Sequence, residues 1–190
     1  MLGQRDLLLH FYEHAIGRAK RRYEFDLRQG QVDVLEFGSL PWRGAVSLLT
    51  AGVSETIGPP CGVELLFAFN KKHQAPDAVK LLAAAAEFVL NAVAQRGSSL
   101  HGGEVLGPAG PLVPGSSLEA FVTCDPVFHP PQLRECGTER GPIRVWWLLP
   151  ISRGEAAFIE KRGVVDFLKA VESQDPEVLN LMRAPLDLTT

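Results

Sequence analysis

The chain has 190 residues, 46% of them apolar and 22% charged, with a net charge of −3. That length and composition suit one globular domain, able to bury about 70% of its unfolded surface without help from disulfide or metal. The slight acidity, with Lys20-Arg21-Arg22 as the one basic cluster, excludes an electrostatic footprint for nucleic acid.

Helical spacing of Leu8, Phe11, Tyr12, Ala15 and Ala19 predicts a first helix from Arg5 to Arg22, with the basic cluster at its C-terminal end. Short β-rich runs follow at Val32–Phe37, Ala45–Thr50 and Val63–Phe69, separated by glycine, proline and serine. In the last of these, Val63, Leu65, Phe67 and Phe69 point one way, and Glu64, Leu66 and Ala68 the other. Asp77–Gln95 reads as the clearest helix, capped by Asp77 and ended near Gly97, with an apolar stripe of Leu81, Leu82, Ala85, Phe88, Val89 and Ala92. Its charges break the apolar run too often for a membrane span.

The Gly107–Ser117 stretch is too rich in proline and glycine for regular structure. Leu118–Cys124 reads as a strand, and Ile143–Leu149 as a central one. Ile143, Val145, Trp147 and Leu149 share one of its faces, while Trp146 and Leu148 share the other. Ser152 and Glu155 form a capping-box pattern, and Gly163 ends the helix it starts. Val164–Val171 carries another helix, and Asp175-Pro176 looks like the start of a last one. These elements sum to a single α+β domain over residues 1–190, with a mixed or largely antiparallel sheet and helices packed on it.

Chemical motifs are sparse. Cys61, Cys124 and Cys136 are too few and too odd in number for a disulfide framework, which points to a reducing compartment. With no signal-peptide pattern at the N-terminus, the expected location is cytoplasmic. His10 and His14 have ligand spacing but no completing partners, so no metal is expected. Cys124 or Cys136 with His101 or His129 would suit a thiol enzyme, yet no nucleophile signature surrounds either cysteine. The plainer reading is a buried Cys124 and an incidental loop Cys136. Glu36, Glu55, Glu64 and Glu104 read as scattered solvated acids. Trp146 and Trp147 fall on opposite faces of one strand and cannot form one aromatic platform.

Several short patterns, in order, resemble one family. They are Thr50-Ala-Gly52-Val-Ser54-Glu55, Gly62-Val-Glu64-Leu65-Leu-Phe67 and the glycine turn Leu100–Val105. Thr123-Cys-Asp125-Pro126, then Val145–Ile151 with Glu155, then Asp166–Leu168 with Met182-Arg183, complete the set. Together they resemble the Suppressor of fused domain over residues 41–185, in its compact bacterial form. The resemblance implies an α/β domain without cofactor or catalytic residues that binds another protein. Bacterial relatives suggest an immunity protein that occludes a toxin, with a thiol or hydrolase-like enzyme and a scaffold as the other readings. The segment Thr56–Cys61 is shorter than the contact loop of animal members, and no contact residue is carried over. Glu36, Trp42, Arg43 and Glu55, at strand ends and loops near the T-x-G-x-S pattern, are the expected partner-binding residues.

Overall fold

The computed structural model describes residues 3–58, 62–72 and 75–188, so Cys61 and most of the short Thr56–Cys61 segment's end lie outside the described residues. In chain order the elements are α1 (Gln4–Ile16), β1 (Arg21–Leu27), β2 (Gly30–Gly38), β3 (Ala45–Ala51), α2 (Val53–Ile57), β4 (Val63–Asn70) and α3 (Ala75–Arg96). These are followed by β5 (Val105–Leu106), β6 (Leu118–Cys124), a 3₁₀ turn at Pro131–Arg134, β7 (Glu135–Cys136), β8 (Ile143–Ser152), α4 (Arg153–Arg162) and α5 (Val164–Gln174). The strands form one sheet in the order β1-β2-β3-β4-β8-β6-β5, with β7 also paired to β8. Among the described residues only β4 and β8 run parallel; every other pair is antiparallel, as in the expected mixed or largely antiparallel sheet.

Each face of the sheet has its own core. Val32, Val34, Leu48, Leu65, Phe67 and Phe69 pack against α3 on one face. Leu35, Phe37, Leu49, Val145, Trp147 and Leu149 pack against α1, α4 and α5 on the other. This two-sided cover explains why β3, β4 and β8 read as nearly continuous apolar runs. The alternation in β8 holds: Trp147 is 2% exposed on the α1 side, and Trp146 is half-buried on the α3 side.

The structure departs from the sequence reading in several elements. The first helix stops at Ile16, because Gly17 takes φ 88°, so Arg21 and Arg22 begin an edge strand instead of closing a helix. Tyr23, Phe25 and Leu27 alternate there toward the α3 core. Asp77 is the third residue of α3, not its cap, and Phe88 is 48% exposed because the buried stripe runs through Val79, Leu82, Ala86 and Val89 instead. The T-x-G-x-S segment, to which the sequence assigned no element of its own, leaves the end of β3 as the short helix α2. Cys136 lies buried in β7 rather than loose in a loop. No helix follows Asp175-Pro176: Asp175 caps α5 in the left-handed region, and the chain beyond it runs as turns and a strap. That strap buries Val178, Leu179 and Leu181, and the Leu179 carbonyl accepts from the Asn70 amide at the end of β4.

Candidate functional site

The motif residues converge on internal clasps. Glu64, expected among solvated acids, is fully buried. It accepts from Thr50 Oγ1 at 2.6 Å, Ser54 Oγ at 2.6 Å, and the Gly52 and Ser54 amides at 3.0 Å each. Burial pushes its carboxyl above the ordinary range, and those donors oppose the shift by favouring the charged form. Gly52 has φ 126°, and a Cβ there would meet the Gln31 carbonyl at 2.7 Å, so this turn requires glycine. Tyr12 ties α1 to the same clasp by donating to the Thr50 carbonyl.

The second clasp joins the glycine turn to β6. Thr123 Oγ1 donates to the His101 carbonyl at 2.6 Å and accepts from the Glu104 amide at 3.0 Å. The third joins Asp125 to Arg144 at 2.7 Å. The fourth joins Glu155 to Arg183, both buried, through two bonds of 2.8 and 3.0 Å. The Ser152–Glu155 capping box forms as expected within it. Each of these clasps holds two elements together.

Neither described thiol is poised for nucleophilic chemistry. Burial pushes Cys124 up to about 12, and Cys136 is also raised, chiefly by burial. His129 is buried, with Nε2 2.8 Å from Ser47 Oγ, and that hydroxyl donates to the Leu40 carbonyl. With the hydroxyl donating to that carbonyl, the imidazole Nε2–H donates to the serine, and both side chains are buried. His10 and His14 are exposed on α1, and among the described residues no group of three His, Cys, Asp or Glu is placed to hold a metal.

Burial lowers His129 from its ordinary 6.5 to about 4. Between those values the unfolded chain takes up a proton that the folded imidazole refuses. Stability should therefore be full above pH 6.5, fall as the pH drops, and level off below about 4, with a total loss of about 3 kcal/mol from this group. Urea titrations of His129→Gln and the native chain at several pH values check this. An unchanged slope in the variant would assign the pH dependence elsewhere.

The structure has an open cleft of about 730 Å³ beneath α5. Its floor is Cys124 from the end of β6 with Trp147 and Leu149 from the middle of β8, and its roof is Val164, Leu168 and Val171 of α5. The helix carries apolar residues at 164, 167, 168 and 171, a full stripe, yet only Phe167 is fully buried. The rest overhangs the cleft, leaving Leu168 37% exposed. Gly103 brings the turn before β5 against this roof: a Cβ there would lie 2.8 Å from Val164. On the other side Val127 and Phe128 line the cleft and face solvent. The Phe128 ring lies 5.6 Å from Trp147 and 5.5 Å from Trp42, in edge-on geometry both times.

The four residues expected to bind a partner are therefore separated. Trp42 is 44% exposed and joins the cleft through Phe128, with exposed Arg43 beside it in the β2–β3 turn. Glu55 lies past the opposite end of β3, where it pairs with Arg5 at 3.2 Å. Glu36 is half-buried in β2 and accepts from the Tyr23 hydroxyl at 2.9 Å. Sequence reasoning missed Phe128, Leu168 and the cleft itself. The signal within reach was the full apolar stripe of α5, which one short helix on a covered sheet does not need.

A family model described as Suppressor of fused protein (SUFU) matches residues 28–184. The chain belongs to the Suppressor of fused family. Solved structures repeat its fold. A protein described as a SUFU homolog from Neisseria gonorrhoeae FA 1090 is 18% identical, with a TM-score of 0.69 over 95% of this chain and 92% of that one. A chain of the Sufu–Fu complex is 16% identical, with a TM-score of 0.66 over 95% and 88%. Drosophila Suppressor of Fused is 16% identical, with a TM-score of 0.65 over 95% of this chain, which spans only 49% of that longer protein. Curated protein sequences give no match. The Suppressor of fused membership bears out the ordered motifs, and the clasps above are what those motifs build. Among the described residues no helix is long and apolar enough to cross a membrane.

Proposed function

We propose that this Suppressor of fused domain is a protein-binding module rather than a catalyst. Its docking surface runs from Trp42 over Phe128 into the cleft beneath α5. The observation that carries the reading is the cleft, an apolar hollow of about 730 Å³ continuous with exposed Val127, Phe128 and Trp42. Exposed apolar surface of this kind, rimmed by Asp125, Arg144 and Glu172, marks an interaction site. Specific interfaces bury about 800 Å² per partner and concentrate their energy in a few aromatic anchors, a role that suits Trp42 and Phe128. A matched chain from a Sufu–Fu complex supports the reading by kinship of fold. Trp42 and Arg43 belong to this surface; Glu36 and Glu55 lie away from it. A toxin as the partner draws no support from the cleft or from the related structures, so the proposal stops at a protein partner.

A photo-crosslinking residue placed at Val127 or Leu168 should trap a discrete protein adduct in the cell of origin, and the same residue at exposed Ala84 on α3 should not. Trp42→Ala should lower the yield. Equal labelling from all three positions would remove the cleft as the docking surface.

A further inference from the structure

The charges at the mouth of the cleft are lopsided. Asp125, Glu172 and Asp175 line it against a single cation, Arg144. Arg144 is already engaged, 2.7 Å from Asp125 and 3.7 Å from Glu135, with its guanidinium 5.0 Å from the centre of the Trp146 ring. Asp125 is further shared with Arg134 at 4.0 Å. Glu172 and Asp175 are different: both are exposed, and neither has a side-chain partner among the described residues. They sit on the last turn and C-cap of α5, which carries no basic residue in that turn. The free carbonyls of a helix C-terminus add about half a negative charge to the same spot. Acids at that end work against the helix, so the charge is not explained by the helix's own stability.

The second observation is the apolar lining that shares the cleft with those acids: Leu149, Leu168 and Val171, with Leu168 37% exposed.

We propose that the cleft receives a segment of the partner protein bearing a bulky apolar side chain next to a lysine or arginine. The apolar side chain fills the space between Leu168, Val171 and Leu149. The segment's cation sits between Glu172 and Asp175. This rests on the docking reading above and adds the chemistry of what docks.

The probe is a phage-displayed library of random twelve-residue peptides, selected on the full chain, on Glu172→Gln/Asp175→Asn, and on Leu168→Arg. Asparagine tolerates the left-handed backbone of position 175, so the double variant removes charge alone. The native chain should enrich peptides with Phe, Leu, Trp or Met beside Lys or Arg. The double variant should keep the apolar preference and lose the basic one. A synthetic peptide chosen on the native chain should bind the double variant about fivefold more weakly at low salt, with the difference fading as salt rises. Leu168→Arg should abolish enrichment. Selection of peptides without basic residues, or an identical basic preference in the double variant, would overturn the proposed chemistry and leave the docking surface standing. Absence of any enrichment that Leu168→Arg removes would overturn the docking surface and the proposal with it.

Discussion

Arg183→Met should destabilise this domain by about 3–5 kcal/mol, the expected effect of leaving one member of a buried ion pair alone. Arg183 is 6% exposed and Glu155 1% exposed. Besides its two bonds to Glu155, Arg183 donates to the carbonyls of Pro150 and Ala184. Glu155 also accepts from the amides of Ser152 and Leu186. One ion pair therefore fixes the end of β8, the start of α4 and the C-terminal strap. Without the guanidinium the carboxylate keeps two amide donors but no counter-charge. Urea unfolding of the native chain and the variant measures the difference. A loss below about 1 kcal/mol would mean that the strap is held by the burial of Val178, Leu179 and Leu181 alone.

Trp147→Ala is the second large effect, at about 3–5 kcal/mol, a substantial share of the 5–15 kcal/mol by which domains are usually stable. The side chain lies in the core between β8 and the α1 face, against Phe128. Removing it would merge a new cavity with the cleft beneath α5. Trp147→Phe separates packing from hydrogen bonding. It keeps an aromatic ring and deletes the unmatched Nε1–H, so it should lose much less stability, within about 1.5 kcal/mol. If alanine cost under about 1 kcal/mol by chemical denaturation, β8 would not be the central support described above.

The strands and helices with strong patterns were legible. β4 and β8 announced themselves by apolar residues on both faces, and α4 by its capping box. The reading failed where local signals were weak or contradictory. Ala15 and Ala19 extend helical spacing past Gly17, yet the glycine's left-handed backbone ends α1 and frees Arg21 to enter β1. As an edge strand half open to water, β1 needs only Tyr23, Phe25 and Leu27 on its inner face, a three-residue alternation that is easily passed over.

Family membership was also written in the chain, because the motifs are short and come in a fixed order: Thr50, Gly52 and Ser54, then Glu64, then Thr123 and Asp125, then Glu155 and Arg183. What those residues do was not. Glu64 looks like any strand carboxylate until the β3–β4 pairing sets it against Thr50 and Ser54 and water is excluded. Glu155 and Arg183 are 28 residues apart, and only the return of the strap across β8 brings them into contact. The cleft is still less local, since it depends on how far α5 stands from β6 and β8. Periodicity tells which face of an element is apolar, because backbone geometry fixes side-chain direction. It cannot tell how completely the neighbouring elements cover that face. The sequence by itself thus determined the α+β elements and the Suppressor of fused kinship, and the tertiary packing decided which acids are buried in clasps and which apolar residues remain open to a partner.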